Sequence, residues 1–152
     1  MTTLAVDKPR EYEFNADPMF EDLPVIASDI LYEGAASGRV LASGHLRPLV
    51  SGDPFAGFVN QQIDNSTGAA AARTARLRRL GVVKLTVTGV ASAADVGKPV
   101  FATDDDTFTL TPGGSRIGTV ARWDVSTTCY VFFLAEQIKH IDVVQLTDPG
   151  SG

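Results

Sequence analysis

The chain has 152 residues, 44% of them hydrophobic, and a formal net charge of -5 at neutral pH. That length suits one domain with a modest core, and that apolar content excludes a disordered chain. The acidic balance argues against a nucleic-acid partner, since such binding draws on Lys and Arg neutralising phosphates. The single cysteine, Cys129, excludes an intrachain disulfide. It lies in an apolar run with no basic neighbour, which reads as a small buried residue and not as an activated thiol.

Residues 1–24 are polar and aperiodic, with prolines at 9, 18 and 24. Tyr12, Phe14, Met19 and Phe20 are too many apolar anchors for a free tail. The expectation is an extended N-terminal arm that docks on its own domain or on a neighbour. No basic segment followed by an apolar run marks a signal peptide here, so synthesis in the cytoplasm is expected. The longest strongly apolar stretch, Tyr130 to Ala135, is far too short to span a membrane, and no membrane partner is expected.

From Pro24 onward, short apolar segments alternate with Gly, Pro, Ser and Asp. Val25–Leu31 and Gly38–Ala42 read as strands around the turn at Gly34–Gly38. Arg47–Val50 runs into the strong turn signal Ser51–Pro54, Phe55–Val59 is a further strand, and Asp64–Gly68 is a loop. Arg73–Thr88 predicts one long strand, because Val83, Leu85 and Val87 alternate with Lys84, Thr86 and Thr88. The alternative is a helix over Ala69–Leu80, where four alanines and several arginines have high helix propensity. Ala91–Gly97 suits one helical turn capped by Ser92. Strands follow at Pro99–Thr103, Thr107–Thr111, Arg116–Trp123 and Thr128–Ala135, with a turn at Pro112–Ser115. Turns at intervals of roughly 8 to 12 residues mark a mainly β fold, a small barrel or sandwich of short antiparallel strands. The predicted organisation is an arm over 1–24, a β domain over 25–135 and a C-terminal tail over 136–152.

Asp104, Asp105 and Asp106 stand between two of these strands. Aspartate favours tight turns because its carboxylate bonds its own backbone, which predicts a hairpin turn and an acidic tip. A calcium loop of the EF-hand type needs oxygen ligands at alternate positions, and Phe108 stands where one is required. His45 and His140 have no ligand partners at metal spacing, and no nucleophile elbow or phosphate loop occurs. No catalytic residue, metal or cofactor is expected. Arg73, Arg76, Arg78 and Arg79 form the one basic cluster, read either as contact with an acidic protein surface or as a solvated face balanced by the chain's own acids. Trp123, Tyr130, Phe132 and Phe133 form a tempting aromatic platform, but in a continuous apolar run they read as core.

The segment around the aspartates also carries a resemblance. Gly89, Asp95-Val96-Gly97, the run VFATDDDTFTLT from Val100 to Thr111, and Ile117-Gly-Thr-Val-Ala-Arg-Trp123 follow one pattern, with supporting stretches at Leu31–Ala36 and Arg47–Phe58. This pattern resembles the capsid decoration, or cement, proteins of tailed bacteriophages, a family often carried only as a domain of unknown function. The likeness covers roughly residues 24–135. It implies a structural, non-enzymatic virion protein on the outer surface of the expanded head. There it would bind the major capsid protein and further copies of itself, as a trimer in preference to a dimer. Tyr12, Phe14, Met19, Phe20 and the four arginines are the expected partner contacts. The alternative from another class is a virion-displayed module binding a ligand such as a glycan.

Overall fold

A computed structural model of the chain describes residues 3–12 and 19–135. Phe14, His140 and the tail over 136–152 lie outside the described residues. The described elements are strands β1 (Met19–Pro24), β2 (Asp29–Leu31), β3 (Ala36–Arg39), β4 (Leu46–Pro48), β5 (Phe55–Val59), β6 (Ile63–Asn65), β7 (Thr74–Thr88), β8 (Pro99–Ala102), β9 (Phe108–Thr109), β10 (Ser115–Val125) and β11 (Thr128–Leu134). One 3-10 turn, Ala93–Asp95, stands between β7 and β8.

The fold is mainly β and contains a closed five-stranded barrel with extra strands. The ring runs β7, β11, β10, β8, β9 and back to β7. All its pairs are antiparallel except the last, where Val87 and Thr88 of β7 lie beside Phe108 and Thr109 of β9 in parallel. That seam is only two residue pairs long. β5, β3 and β4 extend the sheet from the first half of β7, and β2 pairs with β6 apart from it.

The 15-residue β7 serves both parts of the molecule. Its first half lies between β1 and β5, and its second half between β11 and the β9 edge. Pairing with β1 slips between Met19, opposite Leu80, and Phe20, opposite Arg78, so Arg79 is the extra residue of a β-bulge. The slip inverts the alternation of faces. Before it, Ala75 and Leu77 enter a second core with Leu4, Val25, Leu31, Leu46 and Val59. On that half, Arg78 shares a face with its partner Phe58, which belongs to the barrel core. After the bulge, Val83, Leu85 and Val87 enter the barrel core with Phe58, Phe133, Ile117 and Val131. The long strand foreseen from the alternation is therefore present, and the helix over Ala69–Leu80 is not.

Several boundaries differ from the sequence expectations. The span Val25–Leu31 is broken by a turn in which Ser28 takes a positive φ of 60°, leaving only Asp29–Leu31 as strand. The strand expected at Gly38–Ala42 is Ala36–Arg39, and Ile63–Asn65 is strand where a loop was expected to begin at Asp64. The helical turn is capped as foreseen. Ser92 Oγ accepts the N–H of Ala94 at 3.1 Å, and the Asp95 carboxylate reaches back to the N–H of Ser92 at 3.2 Å.

Residues 19–24, placed with the arm by the sequence, form β1, paired with β7 along its whole length. Prolines and exposed positions hid the strand, because β1 is largely exposed on both faces and so carries no alternation of apolar and polar residues.

The aromatic run on β10 and β11 is only partly core. Cys129, Val131 and Phe133 point inward and are fully buried, whereas Phe132 is 41% exposed. Tyr130 is half-buried on the outer face, and Trp123 packs at the edge of the barrel core. The uninterrupted apolar run masked a period-two alternation, since β11 has a wet outer face.

Candidate functional site

The most elaborate side-chain arrangement in the described residues is the slot that holds residues 3–12. It lies along one edge of β7. Leu77, Leu80 and Val83 each have two strand partners: Glu21, Met19 and Tyr12 on this edge, and Val59, Leu134 and Val131 on the other. Tyr12 thus occupies the stretch between β1 and β9, and Glu11 O accepts the N–H of Lys84 at 2.8 Å. The arm fills part of the barrel edge that the short β7–β9 seam leaves uncovered.

The three aspartates divide their work. Asp104 makes the turn: its carboxylate accepts the N–H of Asp106 at 2.9 Å and the hydroxyl of Thr107 at 3.0 Å. Asp105 is 1% exposed, and its Oδ1 accepts the backbone N–H of Thr3 at 2.8 Å and of Leu4 at 3.4 Å. Asp106 receives Lys8 Nζ at 3.0 Å and Arg10 Nη2 at 2.8 Å. The turn foreseen from sequence is therefore real, but the expected acidic tip is a receptor for the chain's own arm. Turn chemistry explains one aspartate, and nothing local in the sequence predicts that residues about 100 positions away supply partners for the other two.

The far wall of the slot is the loop before β3. Lys8 N–H donates to Glu33 O at 2.8 Å, Glu33 N–H donates to the Asp7 carboxylate at 2.9 Å, and Arg10 Nε donates to Gly34 O at 2.8 Å. Gly34 has φ +85°, and a Cβ there would collide with the Lys8 carbonyl, so only glycine lets the arm pass so close.

Tyr12 anchors the arm's end. Its ring meets Phe58 and Phe133 edge-on at 6.4 and 6.2 Å, packing against the barrel core. Burial pushes the phenol up to about 12, against the partial opposing pull of the Arg78 and Arg10 charges. The Arg78 guanidinium lies 4.2 Å from the Tyr12 ring centre and 5.0 Å from that of Phe20.

The structure thus brings most of the sequence-nominated contacts together, with each other. Arg76 forks onto Asp22 at 2.9 and 3.1 Å, which raises the guanidinium's pKa and lowers the carboxyl's. Arg79 meets Glu21 at 3.3 Å. Arg73 is exposed on the approach to β7. The basic cluster is in large part neutralised by the acids of β1. Met19 and Phe20 remain 52% and 41% exposed on that strand.

Other candidates resolve into structure. Asp53 takes the Arg47 fork at 2.9 and 2.7 Å and the Val50 N–H at 3.1 Å, fixing the turn before β5. The Cys129 thiol is pushed up to about 11 by burial and is chemically quiet. The Trp123 indole N–H donates to Ser126 O at 3.0 Å, and the Arg122 guanidinium lies 4.0 Å from the centre of the Tyr130 ring. An open cleft of about 340 Å³ between arm and barrel is lined by Lys8, Arg10, Glu11, Lys84, Asp106 and Phe108. Among the described residues no group of three or more His, Cys, Asp or Glu side chains could hold a metal ion, and no helix is long and apolar enough to cross a membrane.

Neither a protein-family model nor a curated protein matches this sequence.

Proposed function

We propose that this chain is a structural virion protein that binds the outer surface of an expanded phage head and adds contacts between major capsid protein subunits. The observation that carries the reading is the VFATDDDTFTLT segment. It gives the resemblance, and two of its aspartates hold an extended polypeptide arm, Asp105 through the backbone N–H groups of Thr3 and Leu4 and Asp106 through the side chains of Lys8 and Arg10. A module whose signature residues hold polypeptide suits a role in protein–protein assembly. Copies arrayed on a shell gain strength by multivalency, without a large interface per copy.

The surfaces offered to the shell are the edge of β1, with exposed Met19 and Phe20, and the outer face of β11 around Phe132. Arg73 adds an exposed cation at the other, Pro24 end of β1. Residues 3–12 and 19–24 also complete the chain's own fold, so removing all of residues 1–24 is a poor test of shell binding. Met19→Ser with Phe20→Ser removes none of the arm's hydrogen bonds to Asp105, Asp106 and the 33–34 loop and is the better variant.

The test is co-sedimentation of the purified chain with expanded, undecorated heads and with unexpanded heads. Saturable binding to expanded heads, weakened severalfold in the Met19/Phe20 variant, is expected. Absence of binding to either form would overturn the reading and turn attention to a glycan screen.

A further inference from the structure

We propose that the arm slot also takes residues 3–12 of a second copy of this chain, so that neighbouring copies exchange arms. Such exchange needs no shell and is independent of any capsid role.

The contacts that seat the arm are made by residues 3–12 with β7, the 33–34 loop, the 104–106 turn, the rings of Phe58, Phe108 and Phe133, and the second core around Leu4. None of these contacts depends on which chain the arm belongs to. The same carboxylates, the same Gly34 gap and the same Val83 edge receive an arm arriving from a neighbour. Exchange of an identical element in this way is a low-cost route to association, because the bonds broken and formed are the same.

The path between arm and β1 carries surplus chain. Had the arm continued antiparallel from the Tyr12–Val83 pair, residue 15 would face Leu80, but Met19 does. The step from Val83 to Leu80 along a strand is roughly 10 Å, whereas the seven residue steps from Tyr12 to Met19 can reach about 23 Å. The arm of one copy therefore reaches any slot whose Val83 end lies within about 23 Å of its own Met19.

Few anchors hold the arm. Leu4 is 6% exposed and the Arg10 side chain 6%, and Tyr12 packs against the core, but Val6 is 69% exposed and Asp7, Lys8 and Pro9 lie open to solvent. A short tether keeps the arm at an effective concentration on the order of a millimolar for its own slot. Closed chains dominate in dilute solution, and exchange competes when copies are crowded to a similar concentration, as side by side in an assembly.

The test uses the Glu11–Lys84 backbone pair, whose Cα atoms stand about 5.5 Å apart in such a pairing, within disulfide reach. In a Cys129→Ala background, one chain carries Glu11→Cys, at an exposed position, and another Lys84→Cys, at a half-buried one. A doubly substituted chain closing an internal disulfide at micromolar concentration reports the arm in its slot. Mixed at about 1 mM, the two singly substituted chains are expected to give a mixed disulfide dimer several times more abundant than either self-dimer. This excess fades at micromolar concentration. A mixed dimer no more abundant than the self-dimers at millimolar concentration, while the double variant still closes, overturns the proposal. So does failure of the double variant to close. An isotope-filtered NOE between Tyr12 of one chain and Val83 of a differently labelled chain reads the same contact without any cysteine, and its absence at millimolar concentration overturns exchange equally.

Discussion

The buried carboxylate of Asp105 accepts the backbone N–H of Thr3 at 2.8 Å, joining residues 102 positions apart in the chain. Ala36 N–H in turn donates to Asp105 O at 2.9 Å, so one residue ties the arm to both the β9 turn and the start of β3.

Asp105→Ala removes an acceptor for two backbone donors. A charge-assisted hydrogen bond contributes about 1.5–3 kcal/mol, so a loss of that order is expected in urea unfolding. Asp105→Asn keeps one acceptor oxygen and loses less. Limited trypsin digestion adds a local readout: cleavage after Arg10, followed by mass, should accelerate in the alanine variant. Unchanged cleavage would show that the carboxylate does not hold the arm.

Gly34→Ala attacks the same clasp from the other wall. The methyl group meets the Lys8 carbonyl, and the backbone stays at a positive φ that alanine resists at a cost of about 1–2 kcal/mol. The arm should leave its slot while both cores persist, read as lost hydrogen-exchange protection at Lys8 with protection retained along β11. An arm still protected in this variant would contradict the close approach.

Tyr12 makes stability fall at high pH. Its phenol titrates near 12 in the folded chain, against about 10 when unfolded. The folded state prefers the neutral ring, so this contribution is whole below about pH 10 and is lost as pH rises toward 12. The difference corresponds to about 2–3 kcal/mol. Phenolate absorbance should show one of the three tyrosines titrating late. In Tyr12→Phe the stability decline specific to this window should disappear.

Asp95 acts at the opposite end. The Lys98 ammonium at 2.7 Å, and then the N–H groups of Ala91 and Ser92, hold its carboxyl down to about 2. Because the folded value is depressed, its contribution is present above the ordinary carboxylate range near 4 and is lost as pH falls toward 2. Carboxyl NMR titration should find this late-protonating acid, and Asp95→Asn should flatten the acid limb of stability between those values. A carboxyl that titrates near 4 would refute the cap geometry.

What the sequence made legible follows physical range. The alternation of Val83, Leu85 and Val87 announced β7, and Ser92 announced the capped turn, because both signals are local. Gly and Pro clusters placed most turns for the same reason. The bulge at Arg79 left no such mark, so the handover of β7 from one core to the other was hidden. The two faces of β11 were obscured because Phe132 is as apolar as its buried neighbours. The candidate site was half visible. Its residues stood out as anomalies, three acids in a row, four arginines and four apolar anchors in an arm, but their pairing with one another depends on contacts spanning the chain.

The clasp also sets an order of events during synthesis. At roughly 5–20 residues per second, Thr3 leaves the ribosome about 5–20 s before Asp105. Val83 follows Tyr12 by a shorter but similar delay. The segment made early therefore has no receptor until late in translation, and the strand edge it covers is created already in need of a partner. On a polysome, where several nascent copies lie close together, the arm that reaches a newly finished slot need not be the one covalently joined to it.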